Sequence, residues 1–91
     1  MSRKIELQDT IDGMTSPDYK ERFRAEYAQL AIRADKLNTM LEKWAAGQLD
    51  FKPTCSFDLL ATQLYAMTAY LHILKMRAEV EGIDLSGRTE E

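Results

Sequence analysis

Two long runs of apolar residues, each recurring at alternating steps of four and three, constrain this chain more than any other feature. Phe23, Tyr27, Leu30, Ala34, Leu37, Leu41 and Trp44 form the first run, and Leu60, Leu64, Met67, Leu71, Leu74 and Ala78 form the second. This is the spacing of a coiled-coil seam along one helix face; a strand would alternate every second residue instead. The punctuation agrees. Ser16-Pro17-Asp18 reads as a helix start, with Ser16 as N-cap and Pro17 in the first turn, where its missing N–H costs nothing. Gly47 and Pro53 interrupt the chain between the runs, and Ser56 with Asp58 reopens it as helix. Gly82 suits a left-handed C-cap, with Ile83 packing back on the helix it ends. The expectation is an all-α chain: an N-terminal arm over residues 1–15, a helical hairpin over 16–85 with helices at about 17–46 and 57–81, and a disordered tail at 86–91.

Folded antiparallel through the intervening loop, the two seams match each other. Leu41 faces Leu60, Leu37 faces Leu64, Ala34 faces Met67, Leu30 faces Leu71, Tyr27 faces Leu74 and Phe23 faces Ala78. Small residues then meet large ones, as close packing requires. Leu49 and Phe51 are expected to fold over the helix ends. A second stripe flanks each seam, with Glu26, Arg33 and Met40 on the first helix and Gln63, Tyr70 and Arg77 on the second. These stripes share an edge, on which Glu26 can meet Arg77 and Arg33 can meet Tyr70. Two readings of the edge stand. It is a polar zipper that fixes register, each exposed ion pair contributing about 0–1 kcal/mol, or it is a groove in which Arg33, Tyr70 and Arg77 hold an anion and a flat base.

The outward faces differ. The first helix presents Gln29, Asp35, Lys36, Glu42 and Lys43, an ordinary solvated surface. The second presents Tyr65, Ala66, Ala69, Ile73, Met76 and Val80, so it is apolar nearly all round and needs cover on several sides. A chain of 91 residues makes only a modest core. Cys55 is the single cysteine and His72 the single histidine, so an internal disulfide is excluded and a zinc cluster is not expected. The arm can cover part of the second helix, but a second copy of the chain is the better cover, and a homo-oligomer through the outer face of that helix is expected.

A net charge of −3 argues against general nucleic-acid binding, which needs a basic surface. The first residues lack the apolar core of a signal peptide, and the stretch Leu64 to Leu74 is broken by Thr68 and His72 and too short to span a bilayer. A single free thiol fits a reducing cytoplasm. There is no GxGxxG, no Walker loop and no HExxH, and His72 stands without a nucleophile to activate. The expectation is therefore no enzyme, no catalytic residue, no metal and no cofactor. The residue types suited to a ligand are Arg and Tyr. Guanidinium groups pair with phosphates in bidentate fashion and keep their charge, and aromatic faces stack on bases at about 1–3 kcal/mol each. Arg22, Arg33 and Lys36 bring positive charge on the first helix, and Arg77 and Tyr70 face them from the second. These five are the ligand-binding candidates. Tyr19, Tyr27 and Tyr65 are further stacking surfaces, Tyr27 more readily as core.

The segments Glu21-Arg22-Phe23-Arg24-Ala25-Glu26-Tyr27 through Lys36-Leu37, Leu49-Asp50-Phe51-Lys52-Pro53-Thr54-Cys55, and Leu59-Leu60 through Gln63, Met67, Tyr70, Leu74, Arg77-Ala78 and Glu81 together resemble small phage and prophage proteins named by relation to a crAss-like phage protein. Those in turn are similar to the phage sponge proteins that counter CBASS and Thoeris immunity. The resemblance implies a small helical hairpin that assembles into oligomers in the cytoplasm of the host cell. It also implies capture of cyclic oligonucleotides or cyclic ADP-ribose variants between subunits, without cleavage. The arm has no counterpart in it, and the candidate ligand residues above rest on helical geometry. The alternative function is a phage protein-interaction module that inhibits a host defence or nucleic-acid enzyme by direct binding.

Overall fold

The structure, a computed structural model, describes residues 5–85. The first four residues of the arm and the tail expected at 86–91 lie outside the described residues. Among the described residues all regular structure is helical: a 3₁₀ turn, Leu7–Thr10, followed by α1 (Ile11–Met14), α2 (Tyr19–Ala45) and α3 (Phe57–Glu81).

Local chemistry sets the ends of the long helices. The N-cap of α2 is Asp18, whose carboxylate accepts the Lys20 N–H at 3.2 Å. Ser16 does not cap the helix; its hydroxyl accepts the Asp18 N–H at 3.0 Å in the turn before it. The helix thus starts two residues later than a Ser16 cap with Pro17 in the first turn would set it. At the other end Gly47 takes a positive φ of 73°, and the Gln48 N–H closes on the Lys43 carbonyl at 2.8 Å. For α3, the Ser56 hydroxyl accepts the Leu59 N–H at 3.1 Å. The helix ends on Gly82 at φ 70°, with the Ile83 N–H bonded to the Ala78 carbonyl at 2.8 Å and the Ile83 side chain buried. This is the cap that the Gly82-Ile83 pair implied.

The core lies between α2 and α3. Phe23, Leu30, Leu74, Ala78 and Ile83 form it, with Tyr27, Met67, Leu71 and Leu85 packed around. Contacts run in opposite senses along the two helices. Tyr19, at the start of α2, bonds Glu81, at the end of α3, at 2.6 Å. Trp44, at the end of α2, meets the ring of Phe57, at the start of α3, at 5.3 Å between centroids.

The arm lies on α2. Gly13 comes so close that a Cβ there would stand 2.9 Å from the Ala25 Cβ, and Gln29 donates to the Met14 sulfur at 3.2 Å. Gln29 is thus half-buried beside α1, while Asp35, Lys36, Glu42 and Lys43 are exposed. With its small Ala25 and Ala28 surface taken by the arm, α2 has neighbours on two sides. In α3 only Leu74 and Ala78 are buried, while Tyr65 is 79 % and Val80 88 % exposed. His72 is exposed too, outside any contact between the helices. The loop after α2 differs from expectation as well. Leu49 and Phe51 border a hollow beside Lys36, Met40 and Lys43 instead of closing over the helix ends, and Phe51 stays exposed. With Gly47 turning the chain back at once, the loop is laid along the flank of α2.

Candidate ligand groove

The edge shared by α2 and α3 divides into three parts. At the first, Arg77 is clasped by partners within the chain. Its Nε donates to Glu81 at 3.3 Å, an NH2 donates to the Tyr19 hydroxyl at 3.0 Å, and its guanidinium lies 5.0 Å from the centre of the Phe23 ring. The Tyr19 hydroxyl in turn donates to Glu81 at 2.6 Å. That hydrogen bond, foremost, raises the Tyr19 phenol above its ordinary pKa and holds the Glu81 carboxyl below the usual carboxylate range. Arg22 sits at the same end, its NH1 bonded to the Ser16 carbonyl at 2.8 Å and its guanidinium 6.0 Å from the Tyr19 ring.

In the middle, the Tyr70 hydroxyl donates to Glu26, and this bond is the first cause of a raised Tyr70 pKa. The pairing expected on this edge is therefore replaced: Glu26 takes Tyr70, not Arg77. The reason is local. Glu81 stands four residues from Arg77 on the same helix, within the reach of an i,i+4 pair. With the Phe23 ring face beneath it, Arg77 has no need to reach across the seam for Glu26.

The third part is open. Arg33 and Lys36 border a groove of about 490 Å³ between α2 and the start of α3. Its floor is apolar, from Leu37, Met40, Leu60 and Met67, and its polar rim includes Thr54, Cys55 and Gln63. Pro53 holds the loop against this rim, and Leu7 of the arm closes one side. Among the described residues no carboxylate lines this groove, and neither Arg33 nor Lys36 has a hydrogen-bond or ion-pair partner. The five ligand candidates thus fall into two sets. Arg22, Tyr70 and Arg77 belong to the engaged end of the edge, and Arg33 and Lys36 belong to the groove. Arg22 and Arg33 are eleven residues apart on one helix, about 16 Å along its axis, too far to converge on one phosphate.

A family model described as Sequestin matches residues 17–80. The chain belongs to the Sequestin family. The matched span holds all of α2 and α3 as far as Val80, and so the floor of the groove, both cations and Gln63. The arm, Leu7 included, stands outside it. No curated protein and no solved structure matches the chain. For a Sequestin-family chain, whose name speaks of sequestering, a groove with two unengaged cations and an apolar floor is a fitting place to hold something. Among the described residues no group of three or more His, Cys, Asp and Glu side chains is placed to hold a metal ion. Arg33 and Lys36 were legible in the sequence as cations, and Met40 and Gln63 as members of the edge. Leu7, Thr54 and Cys55 were not legible as groove residues. The signal available for the loop pair is its place between Pro53 and the Ser56 cap, where the chain bends into α3.

Proposed function

We propose that this Sequestin-family chain is a phage sponge that binds a cyclic nucleotide immune signal, of the kind used by CBASS or Thoeris defences, and holds it without cleaving it. The observation that carries the reading is the Arg33–Lys36 groove, where two cations without partners stand at the rim of an apolar floor. A cyclic nucleotide matches both features. Its phosphates take charge-assisted hydrogen bonds from Arg33 and Lys36, and its bases lie against Leu37, Met40 and Met67. The family name supports capture, and the resemblance to phage sponges supplies the ligand class. Arg22, Tyr70 and Arg77 enter this reading as structural clasps, since their polar groups are already engaged. Copies of the chain cover the apolar face of α3, and a groove repeated at a symmetric assembly suits a ligand with repeated phosphates. Host cytoplasm is the compartment in which such a signal is met.

The test is thermal denaturation of the purified protein with cyclic di- and trinucleotides and a glycocyclic ADP-ribose. At least one ligand raises the midpoint, as any ligand bound only by the native state must. The ligand is recovered intact after heating, and Arg33→Ala and Lys36→Ala each reduce the shift. No shift with any of these compounds would sink the reading.

The second reading, direct inhibition of a host protein, is favoured by the same exposed α3 face. It predicts a stoichiometric host partner bound through Tyr65, Ile73 and Val80, and no shift with small molecules.

A further inference from the structure

The floor of the Arg33–Lys36 groove and both its cations come from helices within the family span, but Leu7 does not. We propose that Leu7 is a specificity-determining wall, setting the size of the anion that the groove admits; the inference rests on that groove being the binding site.

The arm is built to hold this wall in place. Its 3₁₀ turn is closed by the Glu6 N–H donating to Asp9 at 2.9 Å, and buried Thr10 donates its hydroxyl to the Leu7 carbonyl at 2.7 Å. Two hydrogen bonds thus tie the backbone of the turn on which Leu7 sits. The following helix then anchors the turn on α2 through Gly13. A Cβ at that position would stand 2.9 Å from the Ala25 Cβ and 3.4 Å from the Glu21 carbonyl oxygen, a space that only glycine fits without a shift of the arm. Leu7 itself is half-buried and so keeps free surface toward the groove. Thr54 and Cys55 of the loop border the same groove, so arm and loop together bound its opening. Ile5 and Glu6 also pass beside Lys36, which borders a second hollow with them. Moving the arm thus changes the width of the groove and the surroundings of one of its cations together. A leucine that served only to anchor the arm would affect stability and not discriminate by size.

Cys55 supplies a built-in reporter, being an exposed free thiol that borders the same groove as Leu7. The experiment compares its reaction with iodoacetamide, small and neutral, and with 5,5′-dithiobis(2-nitrobenzoate), a bulky aromatic dianion. Full-length wild type, Leu7→Ala, Leu7→Phe and Gly13→Val are each checked for retained helicity. Leu7→Ala raises the ratio of bulky to small reagent rates by about tenfold, the order by which a methylene-scale change in a pocket discriminates. Leu7→Phe lowers the ratio, and Gly13→Val, remote from the groove, raises it as Leu7→Ala does. An unchanged ratio in both Leu7 variants overturns the proposal. The same proteins are then reacted in the presence of cyclic di-AMP and cyclic tri-AMP. Leu7→Ala shifts protection of Cys55 toward the larger ring. A ratio that responds to Leu7 while neither nucleotide protects wild-type Cys55 leaves the wall standing and brings down the proposed ligand instead.

Discussion

Leu74 is completely buried, packed in the cluster with Phe23, Leu30 and Ala78 between the long helices. Truncating it opens a cavity that its neighbours cannot fill by a small shift, and Leu74→Ala should cost about 2–5 kcal/mol, read from the urea midpoint. In so short a chain that is a large part of the total stability. The clasp at the end of the edge makes a different prediction, about pH. The Glu81 carboxyl is held below the usual range first by the Tyr19 hydroxyl. A depressed native pKa means that the stabilisation is present above the ordinary carboxylate value and is lost as pH falls through the native one. Tyr19→Phe keeps the ring packed and removes that donor. NMR titration of the Glu81 carboxyl should then show its pKa rising toward the ordinary value, and an unmoved titration would show that the bond does not form in solution. Tyr70 works in the opposite sense. Its phenol is raised by its bond to Glu26, so its contribution is present below the ordinary tyrosine value and is lost as pH rises through the raised one. The Tyr19 phenol is raised by its own bond as well, so both clasps weaken at high pH and the Glu81 clasp weakens at low pH too.

Among the elements, α3 has the best-defined ends. Gly82 sits in the left-handed region at φ 70° with nothing within 4 Å of where a Cβ would stand. Gly82→Ala therefore meets no clash and incurs only the backbone penalty, about 1–2 kcal/mol. It should lower the denaturation midpoint while leaving the helix content unchanged; a variant as stable as wild type would mean that the cap is frayed in solution. Both ends of α3 were readable because each had one candidate: Ser56 was the hydroxyl nearest the second apolar run, and Gly82 the glycine just past its end. The start of α2 offered Ser16 and Asp18 together, and both residue types suit an N-cap, so local chemistry does not choose between them. The arm was unreadable for another reason. A four-residue α1 has no periodicity, and its place on α2 depends on the close approach of Gly13 to Ala25, which no local pattern announces. The edge was read with the right residues and the wrong partners. Helical register put Glu26 opposite Arg77, and the nearer Glu81 took the arginine. The same competition explains the site: a sequence shows which residues are cations, but not that Arg22 and Arg77 are engaged while Arg33 and Lys36 are free.

For the molecule as a whole, the consequence of these packings is an asymmetry between the long helices. The arm and α3 occupy two sides of α2, whereas α3 leaves Tyr65, Ile73, Met76 and Val80 exposed along one face, Ile73 at 51 % and Met76 at 50 %. A contiguous apolar stripe of this kind is the surface that our proposed assembly buries between copies. Our reading of the assembly predicts a denaturation midpoint that rises with protein concentration, because dilution favours the dissociated, less stable chain. It also predicts that Ile73→Lys, which places a charge where a neighbour's apolar surface must close, produces a smaller sedimenting species at the same concentration with its helix content retained. Glu42→Lys, on an exposed part of α2, is the matched control, since it changes the net charge by more than Ile73→Lys does and leaves the stripe intact. If both variants sediment like wild type while wild type is a stable monomer, the face of α3 is not an interface between copies. The groove would then have to bind its ligand with the residues of one chain alone, and Arg33 and Lys36 would act once per ligand instead of repeating around it.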